Sequence, residues 1–141
     1  VISGGSKAID IAIKELKEAG AKRVIKLKTS GPFHTEKLQQ ASELFSEEIA
    51  KVQFENGNGI KIIKNVDGEF YSSKDNLNEI LTKHITSPVR FDKAIQLMKE
   101  EKVDRFIEIG PGKTLTGFVK KDYPDAELIN VNNLESLEKN F

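Results

Sequence analysis

The feature that most constrains the fold lies late in the chain, where the apolar run of Phe106, Ile107 and Ile109 stops abruptly at Gly110-Pro111-Gly112. Thr114 to Lys121 then reads as a helix and Glu127–Val131 as another strand. A strand that ends in a glycine turn, passes through a helix and returns as a strand indicates an α/β architecture with a largely parallel sheet. The alternation extends back to about residue 60. Ile60–Ile63 reads as a buried strand ending at Asn65, a helix runs from about Asp75 to Ile85 ahead of Pro88, and another begins near Asp92 with Ala94, Ile95 and Met98 facing inward.

Elements before residue 60 are shorter and could form a separate small α+β lobe. Val1-Ile2-Ser3 has no initiator Met and reads as the end of a strand already in progress, so the chain is expected to be a piece of something longer. Ser6 is a plausible N-cap for a helix in which Ile9, Ala12, Ile13 and Leu16 recur at helical spacing until Gly20. Val24–Leu27 reads as a half-buried strand, with Ile25 and Leu27 alternating with Lys26 and Lys28. After Gly31-Pro32, an amphipathic helix carries Leu38, Ala41, Phe45, Ile49 and Val52 on one face. Asn56-Gly57-Asn58-Gly59 is a turn cluster, and the residues after Val131 read as a polar tail. Working residues of α/β sheets gather at the C-terminal ends of strands, which directs attention to the stretch after Leu27, to Asn65 and to the turn after Ile109.

Composition narrows the functional classes. The 141 residues are 38% hydrophobic and 31% charged, a globular balance, and 22 basic residues offset 22 acidic ones. A net charge of zero gives no bulk attraction to nucleic acid or an anionic membrane. No apolar run approaches the ~20 residues that span a bilayer, and no signal-peptide pattern opens the chain. The absence of cysteine rules out disulfides, thiolate metal sites and a cysteine nucleophile, and fits a reducing cytoplasm.

Among the motifs, Gly31-Pro32-Phe33-His34-Thr35 is the most informative: a rigid turn delivers an imidazole to the start of a helix, a place suited to a neutral, proton-accepting ring. A general base needs that state and a fixed position. The plain alternative is a surface or capping histidine, and spacing alone favours it. Gly110-Pro111-Gly112-Lys113-Thr114 suggests a phosphate loop, but the position five before Gly112 is Ile107 rather than glycine, so a tight turn onto a helix is preferred. Lys22, Arg23, Lys26 and Lys28 form a basic cluster that is either a solvated strand edge or a dock for an acidic partner. His84 lies 50 residues from His34 and neither has a carboxylate at ligand spacing, so no metal site is expected. No serine sits in a Gly-x-Ser-x-Gly elbow.

Taken in order, Val1-Ile2-Ser3-Gly4, Gly20-Ala21-Lys22-Arg23, Ser30-Gly31-Pro32-Phe33-His34, Asn65-Val66, Ser87-Pro88-Val89-Arg90-Phe91 and the run from Glu108 to Gly117 resemble the malonyl-CoA:acyl carrier protein transacylase family. The resemblance spans nearly the whole chain. It implies the C-terminal half of an acyltransferase about twice this length, with an α/β-hydrolase-like large subdomain and an inserted ferredoxin-like small one. Residues 1–29 would belong to the small subdomain and 30–141 to the large one.

The implied chemistry is ping-pong malonyl transfer from malonyl-CoA to the phosphopantetheine thiol of acyl carrier protein, without a cofactor or metal. His34 matches the family's base, and the nucleophilic serine would lie in the missing N-terminal half. His84 takes the place of a residue, usually Gln, whose main-chain carbonyl orients the base. Phe33 matches a residue associated with malonyl over methylmalonyl units, a discrimination that one methyl limits to ~1–3 kcal/mol. Lys22 and Arg23 match a basic pair facing the acidic carrier protein. Two other readings stay open: an acyltransferase domain of a polyketide synthase, and a non-catalytic carrier-protein-binding module. Without the central strands of the other half, the chain is expected to expose strand edges and to fold poorly alone.

Overall fold

Ile9, Ala12 and Ile13 do form one half-buried stripe, on the helix α1 (Ser6–Glu18). The N-cap is Gly5 rather than Ser6, which is the first helical residue. The helix ends as expected at Gly20, whose φ of 89° allows a double closure: Ala21 N–H bonds Leu16 O at 2.9 Å and Gly20 N–H bonds Lys17 O at 3.0 Å. The computed structural model of the chain describes residues 1–55 and 59–141, so Asn56, Gly57 and Asn58 of the expected turn lie outside the described residues. Two compact units are present, Val1–Arg90 and Phe91–Phe141.

In the first unit, a single 3₁₀ turn at Glu36–Leu38 leads into α2 (Gln39–Ile49), and α3 (Leu77–Thr86) packs against both. Leu38, Phe45 and Ile49 are half-buried as expected, whereas Ala41 and Val52 are exposed. The buried Ser42 hydroxyl on α2 donates to Thr82 O on α3 at 2.9 Å. α3 starts at Leu77 rather than near Asp75, and Asn76 caps it by accepting from Glu79 N–H. Asp75 instead accepts Ser72 N–H at 2.9 Å and pairs with Lys64, whose ammonium lies 3.3 Å from both Asp67 and Asp75.

Three expected strands do not form. Val1–Ser3 and Val24–Leu27 have no ladder partner among the described residues, and Ile25 and Leu27 are 58% and 62% exposed rather than half-buried. Alternation marks a residue pattern, but a strand exists only where a second backbone takes up its N–H and C=O groups. Ile60–Ile63 contributes one antiparallel bridge, Ile63 to Phe70, across the turn that contains Gly68; Ile60 and Ile62 are exposed.

The second unit holds the regular sheet. It runs α4 (Phe91–Glu100), β1 (Arg105–Ile109), α5 (Thr114–Asp122), β2 (Glu127–Val131) and α6 (Leu134–Asn140). β1 and β2 are parallel, in register from Arg105 opposite Glu127 to Ile109 opposite Val131. The buried apolar residues, Ala94 and Ile95 of α4 and Val119 of α5, all lie here among the described residues. Phe106 meets Tyr123 edge-on at 6.0 Å, and Phe91 meets Phe118 at 6.3 Å. Ile107 and Ile109 point to the other face of β1 and are 42% and 80% exposed. The expected polar tail is in fact α6, started by a capping box between Asn133 and Ser136.

Candidate functional site: a histidine held by a helix carbonyl

The turn that carries His34 is built from its own residues. Thr35 Oγ1 donates to Pro32 O at 2.7 Å, and Thr35 O accepts Leu38 N–H at 3.0 Å to begin the 3₁₀ turn. His34 itself has φ of 59°, the left-handed region that a non-glycine residue enters at a cost. It precedes the cap residue Thr35, so it stands outside the helix rather than at its start. The 3₁₀ turn runs directly into α2, so the dipole of that continuous helix begins just beyond His34.

A hydrogen bond fixes the ring. His34 Nδ1 lies 3.0 Å from His84 O. A carbonyl can only accept, so Nδ1 carries a proton, and in the neutral ring Nε2 is the nitrogen with the lone pair. The carbonyl is available for a simple reason: its intrahelical partner would be the N–H of residue 88, and Pro88 has none. The proline also sets Ser87 to extended geometry, φ −101° and ψ 149°, closing α3 just beyond His84. Pro88 four residues after His84 is therefore the signal, present in the sequence, that this carbonyl is free for another donor. The Ser42–Thr82 hydrogen bond ties the same helix to α2, which follows the His34 turn.

The His84 ring is half-buried, with its centroid 5.2 Å from that of His34. Burial first, and then the neighbouring charge of His34, lower its pKa from the usual 6.5. Phe33 is 52% exposed beside the base. Lys22 and Arg23 stand in the exposed stretch after α1, outside the hydrogen-bonded histidine pair; of the same basic cluster, Lys26 is paired with Asp10. The structure thus brings together His34 and His84, two residues that spacing alone left 50 positions apart.

The glycine turn after β1 is a built joint. The Glu108 carboxylate accepts the N–H groups of Leu115 at 3.2 Å and Thr116 at 2.8 Å, the Thr116 hydroxyl, and Asn130 Nδ2 at 3.1 Å. These donors hold its pKa below the usual 4.5, led by the Thr116 hydroxyl. The N-terminal amides of α5 that a phosphate would need are already engaged by this carboxylate. Among the described residues no group of three or more His, Cys, Asp or Glu is placed to hold a metal ion, and no helix is long and apolar enough to cross a membrane.

An imidazole with one nitrogen tied to a main-chain carbonyl has the fixed position that a general base needs. Comparison with known proteins shows what the chain is similar to. Malonyl CoA-acyl carrier protein transacylase of Bacillus subtilis is 39% identical over 138 residues, covering 98% of this chain and 43% of its own length. A crystal structure of malonyl CoA-acyl carrier protein transacylase from Clostridium perfringens superposes with TM-score 0.87 at 45% identity, over 94% of this chain and 42% of that one. A malonyl-transacylase solved with a type II PKS acyl-carrier protein gives TM-score 0.88 at 28% identity, over 96% and 44%. No protein-family profile matches the chain. The chain is homologous along nearly its whole length to a C-terminal part of the malonyl CoA-acyl carrier protein transacylases, and spans less than half the length of these relatives.

Proposed function

We propose that the chain works as the C-terminal part of an acyltransferase that moves malonyl from malonyl-CoA to the phosphopantetheine thiol of acyl carrier protein in fatty acid biosynthesis. The observation that carries this reading is the His34 Nδ1 hydrogen bond to His84 O, within a chain 39% identical to a transacylase of that name. His34 Nε2 accepts the proton of a serine hydroxyl as it attacks the thioester carbonyl, and returns a proton to the departing CoA thiolate. In the second half the carrier thiol loses its proton to the same nitrogen, attacks the malonyl-serine ester and releases the serine. The serine belongs to an N-terminal half outside this chain. Exposed Ile107 and Ile109 support a further layer against the sheet, which fits a companion segment of the same enzyme.

In this reading residues 1–29 belong to a ferredoxin-like small subdomain and 30–141 to the large α/β-hydrolase-like one. Phe33 crowds an α-branched acyl unit, and Lys22 and Arg23 receive the acidic carrier protein, so association falls with salt. The enzyme is cytoplasmic, in keeping with a chain that has no cysteine. The test uses the complete enzyme: His34→Ala is expected to cut malonyl transfer by ~10²–10⁴, and near-normal turnover would remove the base from its role. A polyketide setting is the second reading, favoured by the likeness to a transacylase solved with a polyketide carrier; rates with carriers from the two pathways separate them.

A further inference from the structure

Any residue at position 84 supplies the carbonyl that receives His34 Nδ1–H, so that hydrogen bond leaves the side chain free to vary. The side chain present is an imidazole packed against the base, with centroids 5.2 Å apart and planes 32° from parallel. Its Nε2 is buried and has no hydrogen-bond partner among the described residues. A buried polar atom left unpaired is destabilising, so the ring contributes nothing through that nitrogen. What it brings to His34 is a tilted ring-to-ring contact. Burial, and then His34 itself, lower its pKa, which favours the uncharged ring beside one that becomes positive during proton transfer.

A single hydrogen bond at Nδ1 fixes one point of the His34 ring but leaves the ring free to pivot about it. The pivot moves Nε2, the atom that must meet a hydroxyl. His34 is otherwise exposed, and its turn sits in a left-handed conformation that does not by itself set the ring plane. We propose that the His84 ring is a positioning residue for His34, holding the plane of the base by aromatic packing while the carbonyl of the same residue holds its Nδ1. The inference rests on His34 acting as the base of the proposed transfer reaction, and it concerns the side chain rather than the carbonyl.

His84→Ala removes the ring, keeps the carbonyl and suits a helix. His84→Phe restores a flat ring without the unpaired nitrogen. In the complete enzyme, assayed with malonyl-CoA and carrier protein, His84→Ala is expected to lower kcat about tenfold, since small displacements of a reacting group are costly, with KM for malonyl-CoA unchanged. His84→Phe should return kcat to within about twofold of the parent on the same reasoning, with an unfolding midpoint no lower than the parent's. Ring relaxation spectra of His34 give a readout independent of turnover: a rigid Nδ1–H ring in the parent, and larger ring motion with the same tautomer in His84→Ala. Unchanged kcat or an unchanged His34 spectrum in His84→Ala overturns the proposal, as does a His84→Phe enzyme that folds and is as slow as the Ala variant. His34→Ala is measured alongside. If it alone is slow, the base stands and the His84 ring has no part; if it is fast, the transfer reading itself fails.

Discussion

Two Gly-Pro turns lead into helices in this chain, and they meet the same geometric demand differently. At Gly110-Pro111-Gly112 the left-handed conformations fall on glycines, φ 135° and 95°, and the helix that follows has its first amides satisfied by Glu108. At Gly31-Pro32-Phe33-His34 the left-handed residue is the histidine, φ 59°, and the 3₁₀ turn that follows has no side-chain cap. The first turn is assembled from residues that adopt it without strain. The second accepts a less favourable backbone at the residue whose ring is aimed at His84 O. The contrast separates a joint built for stability from one built to aim a side chain, which is where strain tends to collect.

Gly112→Ala is the most direct way to break this comparison. A Cβ at Gly112 would meet nothing within 4 Å, so no steric clash with a neighbour enters and only the backbone conformation is tested. A non-glycine residue in that region costs ~1–2 kcal/mol, and the complete enzyme should lose about that much in denaturant unfolding. If Gly112→Ala is neutral, a left-handed φ is not expensive in this protein, and the conformation of His34 says nothing about its task.

Glu108→Gln probes the other half of the joint and is expected to have a smaller effect. The amide keeps one oxygen to accept from Thr116, but it turns an NH₂ toward Leu115 N–H and loses the charge that suits a helix N-terminus. The sign follows from the lowered pKa. The folded chain holds the Glu108 proton less tightly than the unfolded one, so the carboxylate's contribution is complete above pH 4.5 and fades as pH falls toward the folded value. Parent and Glu108→Gln should therefore differ in unfolding midpoint at neutral pH and converge in acid. A constant gap across that range would assign the effect to packing instead of charge.

The sequence made the joint legible and the site only partly so. β1, α5 and β2 appear close to where the sequence places them, because Phe106, Ile107 and Ile109 form an apolar run that Gly110-Pro111-Gly112 punctuates locally. Val24–Leu27 alternates as well, yet forms no strand, since pairing depends on a second backbone that local pattern does not contain. Helix α6 has a weak apolar pattern, because only Leu134 and Leu137 mark its apolar side; its capping pair, Asn133 and Ser136, is the better signal. For His34, the family resemblance drew attention to the residue and to the His84 carbonyl, while Pro88 supplies the physical reason that carbonyl is free. The φ of His34 had little sequence signal, because histidine enters the left-handed region more readily than most residues but still does so in a small minority of cases.

Lys102 supplies the finest test, since it shares His34's φ of 59° without any part in the histidine site. It follows α4 in the same arrangement that Gly20 occupies after α1: Val103 N–H bonds Met98 O at 3.0 Å and Lys102 N–H bonds Lys99 O at 3.1 Å. One helix end thus uses glycine and the other lysine for one geometry. Lys102→Gly should relieve the left-handed cost, but glycine also gains more freedom in the unfolded chain, so the net stabilisation is expected to be only about 0.5–1 kcal/mol. A gain of that size, read from the denaturant midpoint with transfer activity unchanged, would set the scale of strain that an ordinary helix end tolerates. No gain would mean that a left-handed residue in a well-bonded closure costs little, and His34's backbone would then be explained by its turn alone.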